Sequence, residues 1–168
     1  MSAAAITAAT LEVARFLQVL GFEHRTTMSV LKAIPADKLD FKPTPKNMSA
    51  GELAWHVATA PLHLAECIAS GKFELRLFQP APKAFPEIVE GAEVCYRKAC
   101  ETLASVPAER LQAKIELPGG HSIPASALMW SGVLFHTIHH RGQLSIYIRM
   151  MGGKVPSIYG PSGDESPY

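Results

Sequence analysis

Four segments of the chain repeat apolar residues every three or four positions, and this spacing constrains the fold more than any other feature of the sequence. Residues spaced in this way lie on one face of an α-helix, so each segment predicts an amphipathic helix. The first stripe consists of Val13, Leu17, Leu20, His24, Met28 and Leu31. The predicted helices cover residues 7–33, 49–70, 86–106 and 124–151. Together they predict an all-α four-helix bundle, with a globin-like helical fold as the weaker alternative.

Local signals mark the ends of these helices. Ser49 is followed three residues later by Glu52, the spacing of a capping box in which each side chain accepts a backbone N–H from the other residue. Gly152-Gly153 follows the fourth stripe, as expected just past a helix C-terminus. The tail over residues 154–168 is rich in proline, glycine and serine, which predicts an irregular segment on the surface.

The stretch between the third and fourth helices has the pattern of a short β-hairpin. Lys114–Leu117 and His121–Ile123 flank the turn sequence Pro118-Gly119-Gly120. Two short runs separated by turn residues predict an antiparallel pair of strands. The bundle is therefore expected to carry a small hairpin before its last helix.

Length and composition limit the class of protein. The 168 residues suit one domain spanning 1–168 with a single core. No 18-residue apolar run and no basic leader segment are present, so neither a membrane span nor a signal peptide is expected and the cytoplasm is the expected compartment. A net charge of +1 argues against a nucleic-acid partner. Three cysteines without a CxxC motif favour a reduced compartment, where each is expected to be a small buried hydrophobe.

Two histidines of the fourth helix, His136 and His140, lie within its apolar stripe. At about 100° per residue, His140, Leu144 and Tyr147 all fall within about 80° of His136. Imidazoles four residues apart on a helix can share one metal ion. A bare HxxxH pair is weak evidence, because many helices carry two histidines by chance. The apolar setting favours metal, since a buried imidazole needs a partner.

The second helix carries one further histidine at an inward-facing position. His56 lies in the same stripe as Leu53 and Ala60, and the small Ala60 leaves room beside it. A third buried imidazole on a facing helix would complete a three-histidine metal site.

The other four histidines are interpreted differently. His63 shares the face of His56 but lies roughly 10 Å further along the axis, too far for the same ion. His24 is interpreted as a core histidine bonded to a backbone carbonyl. His139 is expected at the flank of the fourth helix, and His121 on the surface of the hairpin turn.

Two segments resemble a known family. The segment from His136, HTIHHRGQLSIYIRMMGGKVPSIYGPS, is similar to the C-terminal signature of the DinB-like (damage-inducible protein, DinB/YfiT-like) family. The segment around His56, MSAGELAWHVATA, resembles that family's second-helix signature. The chain length and the spacing of the four helices match as well, so the resemblance covers most of the chain.

The resemblance implies a four-helix bundle with a long crossover and a divalent metal ion on three histidines. One ligand comes from the second helix and two, four residues apart, from the fourth. In this sequence those positions are His56, His136 and His140, the residues that the apolar stripes also indicate. The resemblance further implies a homodimer. Related members include an isomerase and S-transferases that depend on mycothiol or bacillithiol.

Three neutral nitrogen ligands leave a divalent ion its charge and an open position, where a bound thiol becomes a thiolate. Nickel, zinc and iron all accept imidazole, so the ligands do not select among them. The site therefore predicts a metal-dependent enzyme for thiol transfer or hydrolysis. The family resemblance implies, more narrowly, a thiol-dependent S-transferase or a related transferase or isomerase. Its substrates would be a small-molecule thiol and an electrophile. The alternative is a non-catalytic metal-binding or stress-response protein.

No general base is singled out by the sequence. His24, His63 and Tyr147 are candidates because they can face the same cavity. Arg141 lies about 140° from His136 around the helix, so it is expected to leave the core and act as a surface or interface charge.

Overall fold

The computed structural model describes residues 3–74 and 80–166, with side chains described from residue 10 onward. In chain order, the helices and strands are α1 (Ala3–Lys32), α2 (Ala50–Ser70), α3 (Phe85–Ala104), α4 (Ala108–Gln112), β1 (Lys114–Glu116), β2 (Ser122–Pro124), α5 (Ala125–Leu128) and α6 (His136–Met150), with a 3₁₀ turn at Ala36–Lys38 and a π-helical stretch at Met129–Phe135 between α5 and α6. The predicted all-α architecture is confirmed, and so is the hairpin before the last helix. The short helix α4 was not expected.

The predicted helix ends have the geometry that their sequences indicate. At the start of α2, the backbone N–H of Glu52 donates to Ser49 Oγ at 3.1 Å, and the backbone N–H of Ser49 donates to Glu52 Oε2 at 2.6 Å. That second bond is the main reason why the pKa of the Glu52 carboxyl lies below its usual value. After α6, Gly152 has a φ of 81°, a left-handed conformation that only glycine adopts without strain.

The hairpin is a two-stranded antiparallel sheet. Ile115 pairs with Ile123, flanked by the pairs Lys114–Pro124 and Glu116–Ser122. Ile115 is buried and packs into the core. The hairpin therefore closes one end of the bundle and leads directly into the last helical segment.

The long helices pack so that α1 and α2 each contact both α3 and α6. Their apolar side chains form two clusters. The cluster at the hairpin end includes Phe16, Leu20, Leu64, Leu103, Ile115 and Val133. The cluster at the opposite end includes Leu31, Leu53, Val57, Ile88, Leu144 and Ile148.

A polar layer lies where one cluster gives way to the other. Its members are the buried or half-buried Glu23, His24, Thr27, His56, Thr59, Tyr96, His136, Thr137, His140 and Arg141. On α1, α3 and α6 these residues fall between members of the two apolar clusters. On α2, Thr59 lies between the clusters, and His56 lies next to Val57 of the cluster opposite the hairpin. Polar groups in such a position require partners, because an unsatisfied buried polar group costs on the order of 1–3 kcal/mol. The polar layer is therefore where a site is to be sought.

The last helical segment is not a uniform α-helix. From Met129 to Phe135 it is π-helical, and at its end the backbone N–H of His136 donates to the carbonyl oxygen of Ser131, five residues earlier. A π-turn contains more residues per turn, so it shifts the phase of every helix face that precedes His136. Such stretches are frequent at functional sites, and this one ends at the first histidine of α6.

The expectation that Arg141 leaves the core is wrong. Its side chain is 1% exposed, and it forms an ion pair with Glu23, with 2.7 Å between Nη1 and Oε2. The apolar stripe predicted only part of the buried surface of the last helix, since Thr137, Arg141 and Ser145 are buried as well. This side of α6 lies against α1, so α6 has a second buried face about 100–180° from His136.

The C-terminal tail differs in part from the expectation. Over residues 154–166 it contains no helix or strand, as predicted. It does not lie wholly on the surface, because Val155 is buried in the core. Tyr159 is largely exposed, yet its hydroxyl donates to Glu23 Oε2 at 2.7 Å and accepts from Arg141 Nη2 at 2.6 Å. The tail is thus tied to the polar layer.

The cysteines partly follow the expectation. Cys67 is buried, whereas Cys95 and Cys100 are half-buried, and none of the three forms a disulfide. Among the residues that the structure describes, no helix has the length and apolar character needed to cross a bilayer.

Candidate metal centre

Three histidines of the polar layer converge on one point. His56 is supplied by α2, and His136 and His140 by adjacent turns of α6. Nε2 of His136 lies 3.1 Å from Nε2 of His56 and 3.1 Å from Nε2 of His140. The three ring centroids are 4.4–4.8 Å apart. Within the described part of the chain, this is the only group of three or more histidine, cysteine or acidic side chains whose ligand atoms could hold one metal ion.

The spacing of these nitrogens fits a divalent ion. Metal–nitrogen bonds of about 2.0–2.1 Å place two ligand nitrogens roughly 3.0–3.5 Å apart, depending on the angle at the metal. The two distances of 3.1 Å lie in this range. A neutral imidazole nitrogen without a hydrogen presents a lone pair, so a single cation between the three rings would satisfy all three nitrogens at once.

The electrostatics keep the site neutral. Burial is the main cause that lowers the pKa of His136 from 6.5 to about 4, followed by the nearby His140 and His56 rings. Burial also lowers the pKa of His140, against the opposing effect of the hydrogen bond that its Nδ1 donates to Gln143 Oε1. Since metal binding requires neutral imidazoles, these shifts leave the nitrogens free to bind at neutral pH.

A broad groove leads to His56 from outside. It has a volume of about 1030 Å³ and is lined by the loop before α2, the first turns of α2 and the segment just before α3. Its charged lining residues carry both signs: Asp37, Asp40, Lys42, Lys46, Glu52 and Lys83. A polar small molecule in this groove can therefore reach His56, the histidine that α2 supplies.

Comparison with known proteins places the chain among its relatives. A model of the DinB family matches residues 4–167. The chain belongs to the DinB family. The YrdA protein of Bacillus subtilis (strain 168) is 28% identical over 156 residues, covering 89% of this chain and 89% of YrdA. YjoA from the same organism is 29% identical over 133 residues, covering 77% of this chain and 84% of YjoA.

Solved structures of DinB-like proteins share the fold. The crystal structure of one from Bacillus cereus ATCC 10987 gives a TM-score of 0.72 at 26% identity, covering 86% of this chain and 95% of that one. The crystal structure of Bacillus subtilis YjoA gives a TM-score of 0.66 at 26% identity, covering 82% of this chain and 92% of that one. YrdA and YjoA are described as uncharacterised, so the family likeness leaves the reaction to the chemistry of the site.

The remaining histidines of this DinB-family chain lie outside the three-histidine group. His139 and His121 are exposed, as expected. His63 is half-buried and lines a separate shallow pocket with Glu66 and Cys67. The expectation that His24 bonds to a backbone carbonyl is wrong, because its Nε2 lies 2.9 Å from the Glu93 carboxylate and its ring stacks on Tyr96.

Tyr147 has its partners in the loop before α2. Its ring packs edge-on against Phe41, and its hydroxyl donates to the carbonyl oxygen of Met48 at 3.2 Å. Burial raises the pKa of this hydroxyl above its usual value, which makes it a poorer proton acceptor at neutral pH. Tyr147 and His24 are thus each bonded to a partner other than the three histidines, Met48 and Glu93 respectively.

Gln143 is the residue of the site that the sequence reasoning missed. Its Oε1 lies 2.7 Å from Nδ1 of His140, and its Nε2 lies 3.1 Å from Nε2 of His139. A usable signal was present, because a residue three positions after a histidine on a helix is its neighbour. Helix-face spacing draws attention to apolar residues and histidines, and a polar glutamine does not stand out on such a face.

The metal-free protein is expected to lose stability as the pH falls. The pKa of His136 is lower in the folded protein than in the unfolded chain, so the unfolded chain gains a proton first. The stability contribution is fully present above about pH 6.5 and is lost as the pH falls toward about 4. Urea unfolding at about pH 7.5 and about pH 5, with chelator present, measures this loss. The His136→Gln variant should lose less free energy of unfolding between these two pH values than the wild type. An equal loss would show that His136 is not the group responsible for the pH dependence.

Proposed function

We propose that this chain is a metal-dependent enzyme that transfers a small-molecule thiol to an electrophile, using a divalent metal ion held by His56, His136 and His140. The observation that carries the proposal is the convergence of three imidazole Nε2 atoms, one of which belongs to a histidine that lines an open groove. A thiol-dependent S-transferase or isomerase is the reaction class that the family resemblance indicates.

The three histidines would hold the ion with neutral donors and so leave its charge available for chemistry. Held by neutral nitrogens, a divalent ion keeps its positive charge and an open position, where it lowers the pKa of a bound thiol or water. His56 lines the groove, so the open position would face the arriving substrate. The apolar clusters on both sides of the polar layer restrict water behind the histidines, which strengthens electrostatic effects at the site.

The lining of the groove supports a polar or charged substrate. Lys46 and Lys83 are exposed in the groove, and Lys42 forms an ion pair with Glu52 at 3.4 Å. Cationic side chains of this kind bind carboxylates. The acidic residues on the same rim would attract an ammonium group. The groove is therefore suited to a small thiol that carries ionised groups.

A screen of the metal-loaded protein tests this function. Nickel-, zinc- and iron-loaded samples are incubated with an electrophile such as 1-chloro-2,4-dinitrobenzene and each of several thiols, including cysteine, glutathione, bacillithiol and mycothiol. Metal-dependent thiol consumption with at least one pair is the expected result, and it should disappear in His136→Ala. Equal rates for loaded, metal-free and His136→Ala protein in every combination would contradict the enzyme and favour the non-catalytic metal-binding alternative.

We further propose that the protein forms a homodimer. Three large apolar side chains, Phe135, Ile146 and Met150, are each more than half exposed. Exposed large apolar side chains in a group are typical of interaction surfaces. Ile146 and Met150 are four residues apart, and Phe135 precedes Ile146 by about three helical turns. Sedimentation at micromolar concentration should give twice the chain mass of 18.2 kDa. The Ile146→Glu variant should sediment with a lower mass, closer to that of one chain. A monomeric wild-type protein would contradict the dimer.

A further inference from the structure

We propose that Gln143 is a positioning residue for the metal centre, whose side-chain amide holds His140 in the tautomer and orientation that present Nε2 to the ion. This inference rests on the proposed three-histidine site. It concerns a residue that neither the apolar stripes nor the ligand pattern indicated.

The first step is the contact between Gln143 and His140. Their side chains are three positions apart on α6, with Oε1 of the amide 2.7 Å from Nδ1 of the ring. An amide oxygen can only accept a hydrogen bond. The hydrogen of His140 must therefore lie on Nδ1, which leaves a lone pair on Nε2, the atom that faces His136. A histidine that binds metal through one nitrogen usually donates its other N–H in this way.

The second step is the direction of the amide. If the Gln143 amide were turned over, its NH₂ group would donate to His140 Nδ1 and force the ring hydrogen onto Nε2, where it would block the metal. In the structure, Gln143 Nε2 lies 3.1 Å from Nε2 of His139, and an NH₂ group donates to that nitrogen. With its own hydrogen on Nδ1, His139 accepts from the amide, and its contact then fits the amide orientation that suits His140. A chain of two hydrogen bonds connects an exposed histidine to a ligand.

The third step is that Gln143 has no packing role that would explain these contacts. Both Gln143 and His139 are exposed, so neither fills the core. The ring of His136 is held differently, since none of the described residues bonds to its buried Nδ1. Of the two ligands on α6, His140 is thus the one whose orientation depends on a neighbouring side chain.

The experiment compares three variants of the full chain by metal affinity. Competition with a chromophoric chelator at neutral pH gives the dissociation constant for Zn²⁺, and the visible absorption of Co²⁺ reports the ligand geometry. Gln143→Leu is expected to weaken binding about 10- to 100-fold, as loss of such partners does. Gln143→Glu should bind at least as tightly as wild type, because a carboxylate also accepts the Nδ1 hydrogen. His139→Ala should weaken binding less than Gln143→Leu.

A matched control separates positioning from stability. Gln18 is an exposed glutamine of the long helix α1, and Gln18→Leu should leave the affinity unchanged. Metal-free Gln143→Leu should unfold at the same urea concentration as wild type. The inference would be overturned if Gln143→Leu bound Zn²⁺ within twofold of the wild-type affinity, or if Gln143→Leu and Gln143→Glu lost affinity equally. Either result would leave the proposed three-histidine site standing. Failure of the wild type to bind one ion per chain would overturn both.

Discussion

Replacing His56, His136 or His140 with alanine is expected to reduce the bound divalent metal from one ion per chain to near zero. Each replacement removes one of three neutral donors, and two imidazoles on a protein surface bind such ions weakly compared with three. Because the ion binds only the folded chain, the variants should also lose the rise in melting temperature that added metal gives the wild type. Elemental analysis after gel filtration, together with thermal unfolding with and without metal, measures both effects.

Two other histidines serve as controls for this series. His139 is one residue away from a ligand and His121 lies in the hairpin turn, and both are exposed. Alanine at either position should leave one ion per chain. Full occupancy in His136→Ala combined with loss of metal in His139→Ala would show that the faces of α6 have been assigned wrongly.

Replacing Arg141 with methionine is expected to destabilise the protein by about 3–5 kcal/mol, the usual cost of breaking a buried ion pair. Arg141 Nη1 contacts the Glu23 carboxylate, the Glu23 carbonyl oxygen and Thr27 Oγ1 at 2.7–3.3 Å. The methionine would leave the Glu23 carboxylate buried without its cation. It would also remove the guanidinium that donates to the Tyr159 hydroxyl and lies 5.2 Å from the Tyr159 ring, leaving this residue of the tail bonded only to Glu23 among the partners described. Urea unfolding of the metal-free proteins measures the loss.

A second arginine of the same helix provides the control. Arg149 pairs with Asp164 at 3.1 Å, but its side chain is 46% exposed, and exposed pairs contribute about 0–1 kcal/mol. Arg149→Met should therefore cost little. In the Arg141→Met background, Glu23→Gln should recover part of the lost stability by removing the unpaired charge. Equal small losses for the two arginine variants would contradict the structural role of the buried pair.

The main helices could be predicted from the sequence because burial leaves a periodic record. Three of the four predicted ranges agree with single helices to within a few residues, and the fourth covers the segment from Ala125 to Met150. The positions of His56, His136 and His140 also followed from the stripes together with the family resemblance. These features depend on the spacing of residues within one helix, and that spacing can be read from the amino-acid sequence.

Features that depend on the relative positions of helices were not predictable in this way. The burial of Arg141 follows from α1 and the tail packing on a second face of α6, and a count of apolar residues on α6 cannot show that contact. The histidines were expected at the centre of the buried face, whereas His136 and His140 are half-buried at its edge. The π-helical stretch before His136 changes the helix phase, and residues 129–135 carry no sequence pattern that marks it.

His24 illustrates a related difficulty. Its place in the apolar stripe of α1 correctly indicated partial burial, but its partner Glu93 is 69 positions away on α3. Apolar spacing identifies the face on which a side chain lies. The identity of a polar partner depends on the register between two helices, which is set by the packing of the two apolar clusters.

X-ray absorption at the metal edge of the zinc-loaded protein tests the central claim most directly. The structure predicts one ion per chain with three imidazole nitrogens at about 2.0–2.1 Å, and loss of one imidazole from the spectrum in any variant of His56, His136 or His140 that retains metal. A first shell of oxygen or sulfur atoms with fewer than three imidazoles, unchanged by replacement of His136, would contradict the three-histidine metal centre.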